Sequence, residues 1–137
     1  MSTIFENIKS RLDGGLVSIN NGTLYLDNAN IHKVKAGRNG GVIYTEGQVN
    51  VNINSTNFTN VSAGGSGGVI YSSGVSTDTY NSVISFTNPI NFLSVASAFG
   101  GGAFYFDHPK LDVNMKTLIN LTDVHSTKGN GGVFYIK

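Results

Sequence analysis

The sequence predicts an all-β protein, a right-handed parallel β-helix of about four and a half coils, each of roughly 26 to 34 residues and three short strands. Three observations predict it. A glycine-pair motif returns five times, stretches of strict apolar/polar alternation lie between its copies, and the composition suits strands and turns and nothing else. Eighteen glycines stand with abundant Asn, Ser, Thr, Val, Ile, Phe and Tyr and only two prolines. Helices avoid that much Gly and Asn, and disordered chains lack the β-branched and aromatic content.

The motif is Gly14-Gly15-Leu16-Val17-Ser18, then Gly40-Gly41-Val42-Ile43-Tyr44, Gly67-Gly68-Val69-Ile70-Tyr71, Gly101-Gly102-Ala103-Phe104-Tyr105 and Gly131-Gly132-Val133-Phe134-Tyr135, at intervals of 26, 27, 34 and 30 residues. Upstream of each pair stands a large apolar residue, Phe5, Ile31, Phe58, Phe92 or Leu121. Three residues beyond it comes a β-branched one, Ile8, Val34, Val61, Val95 or Val124. A further alternating run follows the motif, with Val49, Val51 and Ile53 between Asn50, Asn52 and Asn54, and later Leu111, Val113 and Met115 between polar neighbours. Such period-two alternation marks a half-buried strand. Each unit therefore holds two clear strands and a short segment around the Phe position. A propeller blade of four antiparallel strands needs about 40 residues or more, so these repeats are too short for one.

The units fall at about 5–30, 31–57, 58–91, 92–120 and 121–137 of a single domain, 1–137. Stacked in register, like residues lie about 4.8 Å apart along the axis. Val17, Ile43, Ile70, Phe104 and Phe134 form one core stripe, and Phe5, Ile31, Phe58, Phe92 and Leu121 another. Asn30, Asn57, Asn91 and Asn120, each just before its large apolar residue, are expected to form an inward amide ladder at a sharp bend. The glycine pair marks a turn that needs positive φ or close backbone approach. The right hand follows from the preference of parallel crossovers.

Composition also bounds function. Charged residues are 12% of the chain and the formal net charge is +1, which argues against nucleic acid as a partner. The absence of cysteine removes disulfides, thiolate metal sites and thiol nucleophiles. No apolar run is long enough to span a membrane, and Met1 to Ser10 is not a signal peptide.

The Gly-Gly-(Val/Ala/Leu)-(Ile/Phe/Val)-Tyr and Phe-x-Asn segments resemble the repeats of polymorphic outer membrane proteins, the β-helical passengers of bacterial autotransporters, and similar repeats in large surface proteins of ciliates and other protists. The resemblance covers nearly all of the chain. In the bacterial repeat Asn stands three residues after Phe, whereas Asn7 and Asn60 here stand two after, with Lys33, Ser94 and Asp123 in the other copies. The resemblance implies an extracellular or cell-surface protein concerned with adhesion or assembly, with no catalytic residues to carry over.

The residues themselves are consistent with a non-enzyme. Polysaccharide lyases and glycosidases on this fold need paired carboxylates, or acids that bind calcium beside a basic residue. The acids here are scattered, and no two fall on adjacent rungs of one column. The densest set, Asp107, His108, Lys110 and Asp112, reads as a solvated turn, with a site as the alternative. His32 and His125 fall in different columns, so no shared metal is expected, and Gly64 to Gly68 lacks the Lys and helix of a phosphate loop. No cofactor is expected either. Tyr44, Tyr71, Tyr105 and Tyr135 point outward by alternation, either as a ladder that stabilises the sheet or as an interface for sugars or another surface. Among five glycosylation sequons, Asn21 and Asn54 are the better candidates.

The chain opens inside a repeat and closes just after its fifth glycine-pair strand, with no polar cap at either end. Open solenoid ends template further pairing. The expected function is therefore an extracellular structural subunit that stacks head to tail into a filament, with itself as partner. The alternative is an adhesin or glycan-binding segment of a longer β-helical surface protein.

Overall fold

The computed structural model describes residues 1–137, in which twelve parallel strands wind into a β-solenoid of about five turns without a helix. Three faces build each coil. The first face carries β1 (Thr3–Ser10), β3 (Ala29–Ala36), β5 (Asn57–Ala63), β8 (Ile90–Ser97) and β11 (Ile119–Ser126), in that spatial order. The second carries the opening halves of β2 (Val17–Asp27) and β4 (Ile43–Asn54), then β6 (Ile70–Ser73), β9 (Phe104–Asp107) and β12 (Phe134–Ile136). The closing halves of β2 and β4, with β7 (Ser82–Thr87) and β10 (Leu111–Met115), make the third. The segment around the Phe position is thus a full strand of seven or eight residues, longer than its sequence suggested.

Register follows the repeat. Phe5 pairs with Ile31, Ile31 with Phe58, Phe58 with Phe92 and Phe92 with Leu121. Val17, Ile43, Ile70, Phe104 and Phe134 align in the same way on the second face. These columns meet in one core, in which the Phe58 and Phe92 rings stack at 4.9 Å and the Phe92 and Phe104 rings meet in a T-shaped contact at 5.3 Å. The buried hydroxyls of Thr45 and Ser72 bond each other at 2.8 Å. No buried side-chain polar atom lacks a partner, as a low-dielectric core requires.

Two backbone devices turn the chain at each glycine pair. Gly40 adopts φ 64°, the left-handed region that L side chains rarely enter. Gly41 instead makes room: a Cβ there would lie 1.8 Å from the carbonyl oxygen of Gly68 on the next rung. A second bend falls between the third and first faces, at Asn28, Ser55 and Asn88, with φ of 49°, 46° and 57°. A third kink interrupts each first-face strand two residues after the large apolar position, where Asn7, Lys33, Asn60, Ser94 and Asp123 all have φ of 53–58°. Asn and Asp tolerate that conformation better than other side chains do, and Lys33 and Ser94 are the exceptions in their column.

Candidate functional site

The tyrosine face is built by alternation. Ile43, Ile70 and Phe104 point inward, so Tyr44, Tyr71 and Tyr105 stand outward and stack at 5.4 and 4.8 Å with planes within 6°. Tyr135 continues the stack at 4.8 Å. The rings are half-buried rather than freely exposed. Loop backbone closes on them, and a Cβ on Gly100 would fall 3.1 Å from the Tyr105 ring. Burial, and then the neighbouring Tyr105 and Tyr44, push the Tyr71 phenol from 10.0 up to about 12. Burial and Asp107 raise Tyr105 as well.

This displacement predicts an alkaline loss of stability. The unfolded chain ionises Tyr71 near 10, while the folded chain holds the proton until about 12. The contribution is complete below pH 10 and disappears as pH rises through about 12. Denaturant midpoints measured from about pH 9 to about pH 12 should fall across that window, and the fall should be shallower in Tyr71→Phe.

Asn30, Asn57, Asn91 and Asn120 are joined amide to amide: each Nδ2 donates to the Oδ1 one rung below, at 2.8, 2.7 and 2.6 Å. Their placement corrects the inward expectation. Each precedes an inward residue on a strand and so faces out, and the sharp bends lie upstream at Asn28, Ser55 and Asn88. The first coil has Ile4 in this column, so Asn30 donates instead to the Ser2 hydroxyl at 3.2 Å.

Asp107, His108, Lys110 and Asp112 do not converge. His108 is only 7% exposed, which corrects the solvated reading of this turn. Its Nδ1 accepts from the Lys110 amide at 3.3 Å, which leaves the proton on Nε2 to reach the Gly47 carbonyl at 3.0 Å. Lys110 Nζ donates to the Asp78 carbonyl, and Asp112 accepts from Asn81 at 3.1 Å, so both fasten the 74–81 loop. Asp107 turns away to Lys137, at 3.1 Å. A cleft of about 340 Å³ lies beside that loop, and its ionisable groups are Glu46 and Asp78 alone.

His32 bonds Glu6 at 3.3 Å, and His125 lies 3.4 Å from Asp123, in separate columns of the first face. No group of three or more His, Asp or Glu is placed to hold a metal ion. Of the two preferred sequons, Asn21 is exposed and its Nδ2 bonds only its neighbour Asn20, at 2.9 Å. The Asn54 Nδ2, the atom a glycan would need, is engaged by Asp27, and its Oδ1 accepts from Asn88 at 2.6 Å.

Sequence reasoning missed a basic surface. Lys9, Lys33 and Lys35 on the outer side of β1 and β3, with Arg11 just after β1, line two adjoining clefts of about 640 and 370 Å³ that share Lys9 and Lys35. A net charge of +1 concealed this segregation. The signal was the 26-residue offset between Lys9 and Lys35, one full coil, which pairs them directly across the sheet.

The two ends of the solenoid are the other notable surfaces. β1 and β11 each pair on one side only, and Ile4, Leu121, Phe134 and Ile136 are exposed there. No protein-family model, curated protein or solved structure matches the chain. The fold alone defines its class, a parallel β-solenoid. No helix is long and apolar enough to cross a membrane.

Proposed function

We propose that this chain is a non-enzymatic structural subunit of the cell surface or extracellular space that stacks head to tail on copies of itself. The observation that carries the reading is the match between its two ends. In a copy stacked in register on the fifth coil, Phe5 would lie over Leu121, Ile8 over Val124, Leu16 over Val133 and Val17 over Phe134, each extending an apolar column already in place. At Gly15, Gly41, Gly68 and Gly102 a Cβ would fall within 2.0 Å of the next rung's glycine carbonyl oxygen, whereas a Cβ on Gly132 would meet nothing within 4 Å. That space fits the Gly15 carbonyl of a following copy.

Such a contact joins two different surfaces and does not close, so it generates a filament. The first and second faces would run through each junction. The third face, with four strands against five on the others, would be one strand short at each. Surface placement is supported by the resemblance of the repeats and by the exposed sequon at Asn21.

Gly132→Ala tests the reading. An isolated chain should tolerate it, because the added methyl meets no atom, but a stacked neighbour could not approach. Sedimentation velocity should show concentration-dependent linear oligomers of the unaltered chain and monomers of Gly132→Ala, with the same thermal midpoint for both at concentrations low enough that the unaltered chain is also monomeric. An unaltered chain that stays monomeric at every concentration, or a variant that assembles equally well, would overturn the proposal.

A further inference from the structure

The geometry points to an anion-binding site on the first face of the first coils, formed by Lys9, Lys33, Lys35 and Arg11 and suited to an acidic polysaccharide carrying sulfate or carboxylate groups. Three independent features converge there. The first is charge without compensation. None of the four cations makes a salt bridge, while the nearby acids are taken, Glu6 by His32 at 3.3 Å and Asp13 by Arg38. Four of the chain's nine Lys and Arg residues share this surface.

The second feature is the arrangement of those cations against their own stability. Lys9 and Lys35 are direct cross-strand neighbours, about 4.8 Å apart along the axis, where like charges repel. Lys33 holds φ 53° in a column whose flanking members are Asn7 and Asn60, residues that accept that backbone more readily. Both choices act against the fold locally, and a bound anion would relieve the repulsion. Strained residues of this kind cluster where ligands are held.

The third feature is the lining, which selects the class of anion. Between the cations stand the amides of Asn7 and Asn60 and the hydroxyl of Ser62, groups that bond sugar hydroxyls, with Val34 the sole apolar contributor. No Phe or Tyr lines either cleft, so bases would find no stacking platform. No apolar wedge accompanies the charge, as a membrane-surface site would need. A row of cations and hydrogen-bonding groups along stacked rungs instead matches an extended chain whose acidic groups recur from sugar to sugar.

The test uses the full chain and five probes: a sulfated heparin-derived octasaccharide, a neutral dextran of similar length, inorganic sulfate, a single-stranded oligonucleotide, and vesicles containing phosphatidylserine. Calorimetry should show binding to the sulfated octasaccharide that weakens with salt, and none to dextran. Lys9→Gln with Lys35→Gln should weaken it about ten-fold or more, because charge-assisted contacts are lost. Removing opposed cations should leave the thermal midpoint unchanged or raise it, which separates lost binding from lost folding. The control pair Lys116→Gln with Lys128→Gln, exposed on later coils, should bind as the unaltered chain does. Equal weakening by the control pair, tighter binding of the oligonucleotide or vesicles, or no binding of the octasaccharide beyond that of inorganic sulfate would each overturn the inference.

Discussion

Gly41→Ala is expected to unfold the central coils, with a loss of more than about 4 kcal/mol of stability. The methyl would sit 1.8 Å from the Gly68 carbonyl oxygen and 2.9 Å from backbone of Ser62. Neither neighbour is a flexible side-chain end, so relief requires the rungs to part. Parting them breaks the ladder that crosses this turn, in which Gly40 donates to Ser66 at 2.9 Å, Gly41 to Gly67 at 2.9 Å and Val42 to Val69 at 3.0 Å. Buried backbone groups left without partners are costly. The internal comparison is Gly132→Ala, the same substitution in the same repeat position with open space around it. It should change the unfolding free energy of the monomer by no more than about 0.5 kcal/mol. Urea denaturation of the two variants side by side separates rung contact from any general intolerance of alanine in this motif.

Phe92→Ala is expected to destabilise by about 3–5 kcal/mol, the range for a buried ring removed from a core that cannot collapse. Phe92 is 1% exposed, stacks on Phe58 at 4.9 Å and makes a T-shaped contact with Phe104 at 5.3 Å. Its backbone is held in register by β5 on one side and β11 on the other, so neighbours cannot close on the void without sliding a strand. The adjacent Leu93 points outward and is 45% exposed. Leu93→Ala should therefore cost less than about 0.5 kcal/mol, and a large loss there would contradict the assigned strand polarity. Thermal and urea unfolding of both variants provide the measurement.

The fold was legible because a solenoid repeats its constraints. Gly14, Gly40, Gly67, Gly101 and Gly131 announce one backbone conformation five times, and the spacing from each apolar residue to its glycine pair sets the register across the first face. The asparagine column could be aligned from the same spacing, but its direction could not. Alternation within β3 places Asn30 outward because Ile31 is inward, and the bend assigned to the asparagines of that column belongs instead to Asn28, Ser55 and Asn88, two or three residues upstream of it. The kink at Lys33 and Ser94 was equally hidden, since neither residue signals positive φ. His108 looked solvated beside Pro109, but Gly74, at the start of the 74–81 loop, packs directly on its ring, and that loop is an insertion without a counterpart in the other coils.

The basic surface escaped for a different reason. Charge was judged over the whole chain, whereas Lys9 and Lys35 become neighbours only once the 26-residue coil is wound. Columns of outward residues carry surface chemistry in a solenoid as surely as inward columns carry the core. Those columns have to be read for charge with the same care.

Stacking is the central claim, and electron cryomicroscopy of the purified chain across a range of concentrations tests it most directly. The account predicts filaments with a layer line near 4.8 Å and an axial subunit repeat of about 24 Å, five rungs, with the strand order of the first face running unbroken from β11 into β1 of the next copy. Monodisperse particles, or filaments in which subunits join side by side through the tyrosine face, would contradict it.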